Sequence, residues 1–258
     1  MKILQTLQDG SDRIFHRVRW NGGTAILMQE TDPDSFDRYL KVARMLHPYS
    51  PAILSADREN LTILMEDLGD RSLYEWVRTG HSKDIYFRVV DTLGKIQKID
   101  CRGLPQFGRE ALIGEVEYFL QWNPHMSRLK DILINNARFL STLSERTFMH
   151  RDFQSRNIFI KEGRIRLIDF QSAHCGHPFY DLASLLWDPY VNLDDNFRKE
   201  LARYYGADME LLKRFAIQRL AQATAAYRKL SKRKSFFGQF IPVSTNRLIL
   251  LIEELNLK

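Results

Sequence analysis

The chain has 258 residues, 44% hydrophobic and 12% aromatic, enough apolar material for one large domain or two lobes. No uninterrupted apolar run approaches the roughly 20 residues of a membrane span, the longest lying at 248–252. The opening MKILQTLQDG lacks the apolar core of a secretory leader, so a cytoplasmic setting without a membrane partner is expected. The net charge of +6 favours anionic partners, a nucleoside triphosphate or nucleic acid, without choosing between them. Cys101 and Cys175 are too few for a disulfide framework and fit a reducing compartment. His174-Cys175-Gly176-His177 lacks the paired clusters of a zinc site and reads as a loop.

In chain order, the first thirty residues read as a β-meander: strands at 4–7, 14–20 and 24–28, with Asn21-Gly22 as the second turn. The first turn, containing Gly10 and Ser11, carries the backbone N–H groups and small hydroxyl that a phosphate cover needs. Phe36, Leu40, Ala43 and Leu46 recur at helical spacing over 34–46, and strands follow at 52–55 and 61–65. Glu66-Asp67-Leu68-Gly69-Asp70 interrupts the pattern as a connector would. Beyond it the periodicity is helical at 73–77, 85–99, 110–122 and 126–143, then at 180–187, 196–205, 209–230 and 245–255. These elements divide the chain into a strand-rich lobe (1–65), a hinge (66–71) and a larger helical lobe (72–258).

Between the two helical series lies 148–188, where the chemistry concentrates. His150-Arg151-Asp152 is followed by Asn157 five positions after the Asp, and Asp169-Phe170-Gln171 begins twelve positions after the Asn. The β-rich runs 158–160 and 165–168 flank Lys161-Glu162-Gly163-Arg164, a hairpin turn in which Gly163 is free to take positive φ. Folding that hairpin brings Asn157 and Asp169 together at its open end. An amide oxygen and a carboxylate are hard ligands suited to Mg²⁺, and Asp152 upstream can accept a proton from a hydroxyl. The set reads as a phosphoryl-transfer site.

With these motifs in hand, the chain resembles the α+β, two-lobed protein-kinase-like fold, and within it the aminoglycoside/choline phosphotransferase family. The residues that carry the resemblance are HRDFQSRN, Ile168-Asp169-Phe170 and Tyr180-Asp181-Leu182-Ala183. It extends to bacterial kinases of N-acetylmuramate and N-acetylglucosamine, echoed in 11–17, 25–28, 64–70 and 115–122. The resemblance implies ATP and Mg²⁺ as cofactors, Asp152 as base, and Asn157 and Asp169 as metal ligands. It further implies Gly10 and Ser11 over the phosphates, Glu66 and Leu68 offering backbone groups to adenine with Met65 behind, and His150 and Asp181 as supports. Asp181 is equally readable as a helix cap. The family's third-strand Lys is absent, Met28 standing in its place, so Arg13 and Arg17 are candidates for the phosphate-gripping cation.

The acceptor is expected to be a small molecule, an amino sugar phosphorylated on its anomeric hydroxyl, with aminoglycosides or choline as alternatives. A pseudokinase that binds nucleotide without turnover is the other alternative. Glu115 and Asp188 are candidates for contact with the acceptor; the competing readings are a solvated acid and a helix-end residue. The basic run 228–234 reads as a solvated helix terminus rather than a nucleic-acid site, since Phe236 and Phe237 are adjacent and not interleaved with it.

Overall fold

Asn21 and Gly22, both in the left-handed region (φ 43° and 78°), close a two-residue hairpin in a computed structural model whose described residues are 1–7 and 13–257. The hairpin joins β2 (Ile14–Trp20) to β3 (Gly23–Gln29), with Trp20 opposite Gly23. With β1 (Ile3–Leu7), β4 (Ile53–Asp57) and β5 (Thr62–Glu66) they form an antiparallel sheet ordered β1-β2-β3-β5-β4. Helix α1 (Pro33–Leu46) is capped by Asp32, whose side chain accepts from Ser35 N–H, and buries Phe36, Tyr39, Val42, Ala43 and Leu46. The Gly10-Ser11 turn lies outside the described residues.

Two compact units partition the chain: Met1–Gly80 with Arg156–Ser172, and His81–Ser155 with Ala173–Lys258. The expected helical lobe over 72–258 is therefore interrupted, because its hairpin groups with the N-terminal sheet. That hairpin, β7 (Ile158–Lys161) and β8 (Arg164–Leu167), turns through Glu162 and Gly163, both at positive φ. Ile160 N–H donates to Arg71 C=O and Leu167 N–H to Tyr49 C=O, at 2.9 and 2.8 Å. The short helix α2 (Leu73–Arg78), capped by Ser72, completes this first unit.

The second unit contains α3 (Ile85–Ile96), α4 (Arg109–Trp122), α5 (Lys130–Ser141), α6 (Phe179–Leu186), α7 (Asp195–Tyr205), α8 (Met209–Ser231) and α9 (Phe240–Glu254). Helix α8 is its centre. Nearly every side of it is covered, burying Phe215, Ile217, Leu220 and Tyr227 along with the polar Gln218 and Thr224. Helix α9 begins five residues before the expected start, since Pro242 falls in its first turn, where a missing N–H costs nothing. With the preceding 3₁₀ turn it forms Ser235–Glu254, which by length and composition can cross a membrane; one such helix is weak evidence, as core helices pass the same test. Its apolar residues are scattered rather than continuous, so a search for uninterrupted runs overlooks it.

Two three-residue strands escaped the sequence reading: β6 (Thr147–Met149) and β9 (His174–Gly176) pair antiparallel. Against the expectation of free thiols, Cys175 in β9 is joined to Cys101 beyond α3, with Cα atoms 5.3 Å apart across a separation of 74 residues. The pairing depends on tertiary placement: Cys175 N–H donates to Pro105 C=O, and Phe107 N–H donates back to Cys175 C=O, both at 2.8 Å. The basic run is in part engaged locally: Arg228 donates to Asn123, and the Lys232 ammonium sits 4.6 Å from the Trp122 ring centroid.

Candidate active site

In the first unit, the open end of the β7–β8 hairpin is closed by Ile168 N–H donating to Asn157 C=O at 3.0 Å. The ladder pairs Ile158 with Leu167, so Asn157 and Asp169 fall at neighbouring chain ends, as their spacing anticipated. Asp169 adopts φ 61°, sparsely populated for a residue with a Cβ and often found at functional sites. Gln171 Nε2 donates to Asp169 Oδ1 at 2.5 Å, while its own buried Oε1 has no hydrogen-bond partner. An orphaned amide oxygen beside a carboxylate and a second amide is a hard-donor set that fits Mg²⁺. Phe170, fully buried, packs on Tyr39 of α1 with ring centroids 4.8 Å apart and fixes the segment from behind.

In the same unit, Tyr39 O–H donates to Met65 Sδ at 3.1 Å, and burial pushes the Tyr39 hydroxyl pKa well up. Met28 is 0% exposed, an apolar core residue where the family places its Lys. The two candidate replacements diverge. Arg17 donates to both carboxylate oxygens of Asp67 at 2.7 and 3.1 Å and to Asp70 at 2.8 Å, pinning the connector in which Leu68 is buried. Arg13 pairs with Glu30, and its charge acts on the same Tyr39 hydroxyl that feels the charge of Asp169. Glu66 is held by Lys161 Nζ at 2.9 Å and Arg166 Nη2 at 2.5 Å; burial opposes its ionisation, yet these cations hold its pKa down to about 2.

In the second unit, β6 delivers the chain into His150-Arg151-Asp152, with Arg151 at φ 76°. The loop is pinned at both ends. Asp181 Oδ2 accepts from His150 N–H at 2.6 Å and Oδ1 from Arg151 N–H at 2.8 Å, so it is a brace and not a helix cap. Burial pushes the Asp181 pKa up to about 7, although both N–H bonds favour the ionised form. Buried His150 accepts at Nδ1 from Asp152 N–H at 3.4 Å.

Asp188, expected at the acceptor, is 1% exposed and accepts from Ser155 N–H at 2.7 Å and Tyr190 N–H at 2.9 Å. Those bonds hold the far end of the loop, and burial raises the Asp188 pKa against them. Glu115 is likewise internal: Oε1 accepts from Tyr180 O–H at 2.9 Å and Arg151 Nη2 at 3.2 Å, and Oε2 from Gln218 Nε2 at 3.0 Å. At 5% exposed it is not a solvated acid. Its i,i+4 relation to Phe119, on the apolar stripe of α4, is the local signal for this placement.

Asp152, by contrast, keeps 31% of its side chain exposed, and its Oδ1 receives Nη2 of Arg219 from α8. Arg219 was not singled out from sequence. Its place on a helix buried on nearly every side was the available hint, because an interior guanidinium demands counter-groups.

Comparison with known proteins agrees with this architecture. Residues 3–215 match the phosphotransferase enzyme family (APH). The chain is 27% identical over 216 residues to an N-acetylmuramate/N-acetylglucosamine kinase of Neisseria meningitidis serogroup B, covering 76% of this chain and 64% of that protein. It is 29% identical over 204 residues to a like-named kinase of Pseudomonas aeruginosa, covering 70% and 59%. The match thus spans less than two thirds of these relatives' length. A choline kinase from Streptococcus pneumoniae shares the fold with a TM-score of 0.72 at 14% identity, over 99% of this chain and 94% of that one. An aminoglycoside phosphotransferase does so at 0.70 and 17%, over 96% and 92%. The pinned His-Arg-Asp loop, the Asn/Asp hairpin and the family match over most of its length place the chain in the phosphotransferase enzyme family.

Proposed function

We propose that this chain is an ATP- and Mg²⁺-dependent kinase that transfers the γ-phosphoryl group to a hydroxyl of an amino sugar, with the anomeric hydroxyl of N-acetylmuramate or N-acetylglucosamine as the intended acceptor. The observation that carries the reading is the state of Asp152. It is a partly exposed carboxylate on a loop whose two ends are tied by Asp181 and Asp188. Asp152 accepts the acceptor proton as the hydroxyl oxygen bonds to the γ-phosphorus and the bond to the β–γ bridging oxygen breaks, releasing ADP. Asn157 and Asp169, with the neighbouring Gln171 amide, would hold Mg²⁺, which when bound neutralises charge on the transferring phosphates. Glu66 and Leu68 border the adenine, Met65 lies behind it, and Arg13 approaches the phosphates. The setting we infer is cytoplasmic, where ATP is supplied.

The names of the relatives favour N-acetylated sugars, and the structure of the second unit supports this against cationic acceptors. Glu115 and Asp188, two of the acids available to an aminoglycoside or choline, are spent on internal donors, while Glu110 and Glu117 of α4 stay exposed. The pseudokinase alternative draws on buried Met28. ATP consumption measured against N-acetylmuramate, N-acetylglucosamine, aminoglycosides and choline separates the three readings. We expect turnover with an N-acetylated sugar, lowered on the order of 10²- to 10⁴-fold to a residual rate in Asp152→Asn. Turnover confined to a cationic acceptor, or no turnover with any, overturns the proposal.

A further inference from the structure

Arg219 combines deep burial with a partner for each of its three nitrogens. Its side chain is 11% exposed, on the helix at the centre of its unit. A guanidinium there gives up its hydration and needs counter-groups for its donors. Nε donates to Ser184 Oγ on α6 at 3.1 Å, Nη1 to Gln222 Oε1 one turn along α8, and Nη2 to Asp152 Oδ1. Ser184 and Gln222 are neutral and belong to helices, so they hold the cation in place whether or not a substrate is present. Asp152 alone among these three partners lies on a loop.

We infer that Arg219 is the positioning residue of the reaction: by anchoring Oδ1 it sets the rotation of the Asp152 carboxylate, and so aims Oδ2 at the acceptor hydroxyl. This rests on the reading of Asp152 as the base. The contribution of Arg219 is orientation, since its fork is held by side chains on two helices while Asp152 lies on a loop. That suits phosphoryl transfer, where alignment supplies most of the protein's share of catalysis. The planar fork of Arg fixes a carboxylate in a way that the rotatable ammonium of Lys does not.

The test is steady-state kinetics with ATP and N-acetylglucosamine on Arg219→Ala, Arg219→Lys and Gln222→Leu, with thermal melting as the folding control. For Arg219→Ala we expect kcat to fall on the order of 10²-fold with KM for ATP changed by less than about 3-fold, the scale of a misaligned group. Added guanidinium chloride at low millimolar concentration raises the kcat of the Ala variant and not that of the wild type. Arg219→Lys recovers part of kcat, and Gln222→Leu, which frees one side of the fork, loses about 3- to 10-fold. In the Asp152→Asn background, Arg219→Ala adds no further loss, because the two residues act as one unit.

A folded Arg219→Ala with wild-type kcat overturns the inference while leaving the base assignment standing, provided Asp152→Asn lowers kcat by the expected orders of magnitude. Losses that add in full with those of Asp152→Asn and resist guanidinium also overturn it, since they denote a merely structural role. Should Arg219→Ala not fold, a Gln222→Leu kcat equal to the wild type has the same force. Full turnover in Asp152→Asn removes the base assignment and this inference together.

Discussion

The Asp181 carboxylate binds the backbone N–H groups of His150 and Arg151, at 2.6 and 2.8 Å, from a site with almost no solvent. The loop that presents Asp152 is therefore tied to α6 by a carboxyl group whose pKa burial raises from 3.8 to about 7. A folded value above the unfolded one means that stability from this group is fully present below about pH 4 and is lost as pH rises through 7. Between pH 5 and 8 the loss integrates to roughly 2–3 kcal/mol. In Asp181→Asn this pH-dependent component disappears. Urea unfolding of both proteins at pH 5 and pH 8 should show the wild type losing that much more than the variant, while the variant loses kcat at either pH because the amide cannot accept both bonds.

The pairing of Glu66 with Lys161 and Arg166 has the opposite sign. Its carboxyl sits at about 2 in the folded chain against 4.5 as the ordinary value. The stabilisation is present above about pH 4.5 and is lost as pH falls toward 2. Because the group is partly solvated, we expect Glu66→Gln to cost about 1–2 kcal/mol at pH 7 rather than the full linkage value. The difference from the wild type should fall to less than half near pH 3 and vanish only below about pH 2. Denaturant titrations at the two pH values check it, and hydrogen exchange in 158–167 should rise first, since both cations belong to that hairpin.

The hairpin was legible from residues 148–188 because everything about it is local: β-branched runs, a Gly at the turn, and polar residues at both ends. The strands and most helices were legible for the same reason, their periodicities being properties of contiguous residues. Glu115, Asp188 and Arg219 were not. Glu115 meets Gln218 across 103 residues and Asp152 meets Arg219 across 67, and no local pattern states which interior donor an acid will find. Buried acids and exposed acids are the same letters. The Cys101–Cys175 bond was hidden in the same way, being a product of where β9 lies.

That bond gives a direct test. Unfolded under non-reducing conditions, the protein should show no titratable thiol, and reduction should restore two. Closing a loop of 74 residues stabilises by about 4 kcal/mol in the chain-entropy account, so Cys101→Ser should lower the unfolding free energy from urea titration by roughly that amount. The variant and the reduced wild type should unfold alike. Two free thiols in oxidised, unfolded protein would show that the pair is not bonded in solution.

The missing third-strand Lys can be assigned to one of two arginines by what each already holds. Arg17 spends its guanidinium on Asp67 and Asp70, two carboxylates that leave little net charge for a phosphate. Arg13 pairs with Glu30, and its charge reaches the Tyr39 hydroxyl together with that of Asp169, the proposed metal ligand. Arg13→Gln should therefore raise KM for ATP about 10- to 100-fold, the worth of one charge-assisted contact, with KM for the acceptor nearly unchanged. Arg17→Gln should change KM for ATP by less than about 3-fold and lower the melting temperature instead, as the connector loses its anchor. Glu30→Gln should resemble a weaker Arg13→Gln, because its role is to hold the guanidinium in place. If Arg17→Gln carries the larger effect on ATP, the phosphate-facing cation is Arg17 and the Arg13–Glu30 pair serves only the sheet.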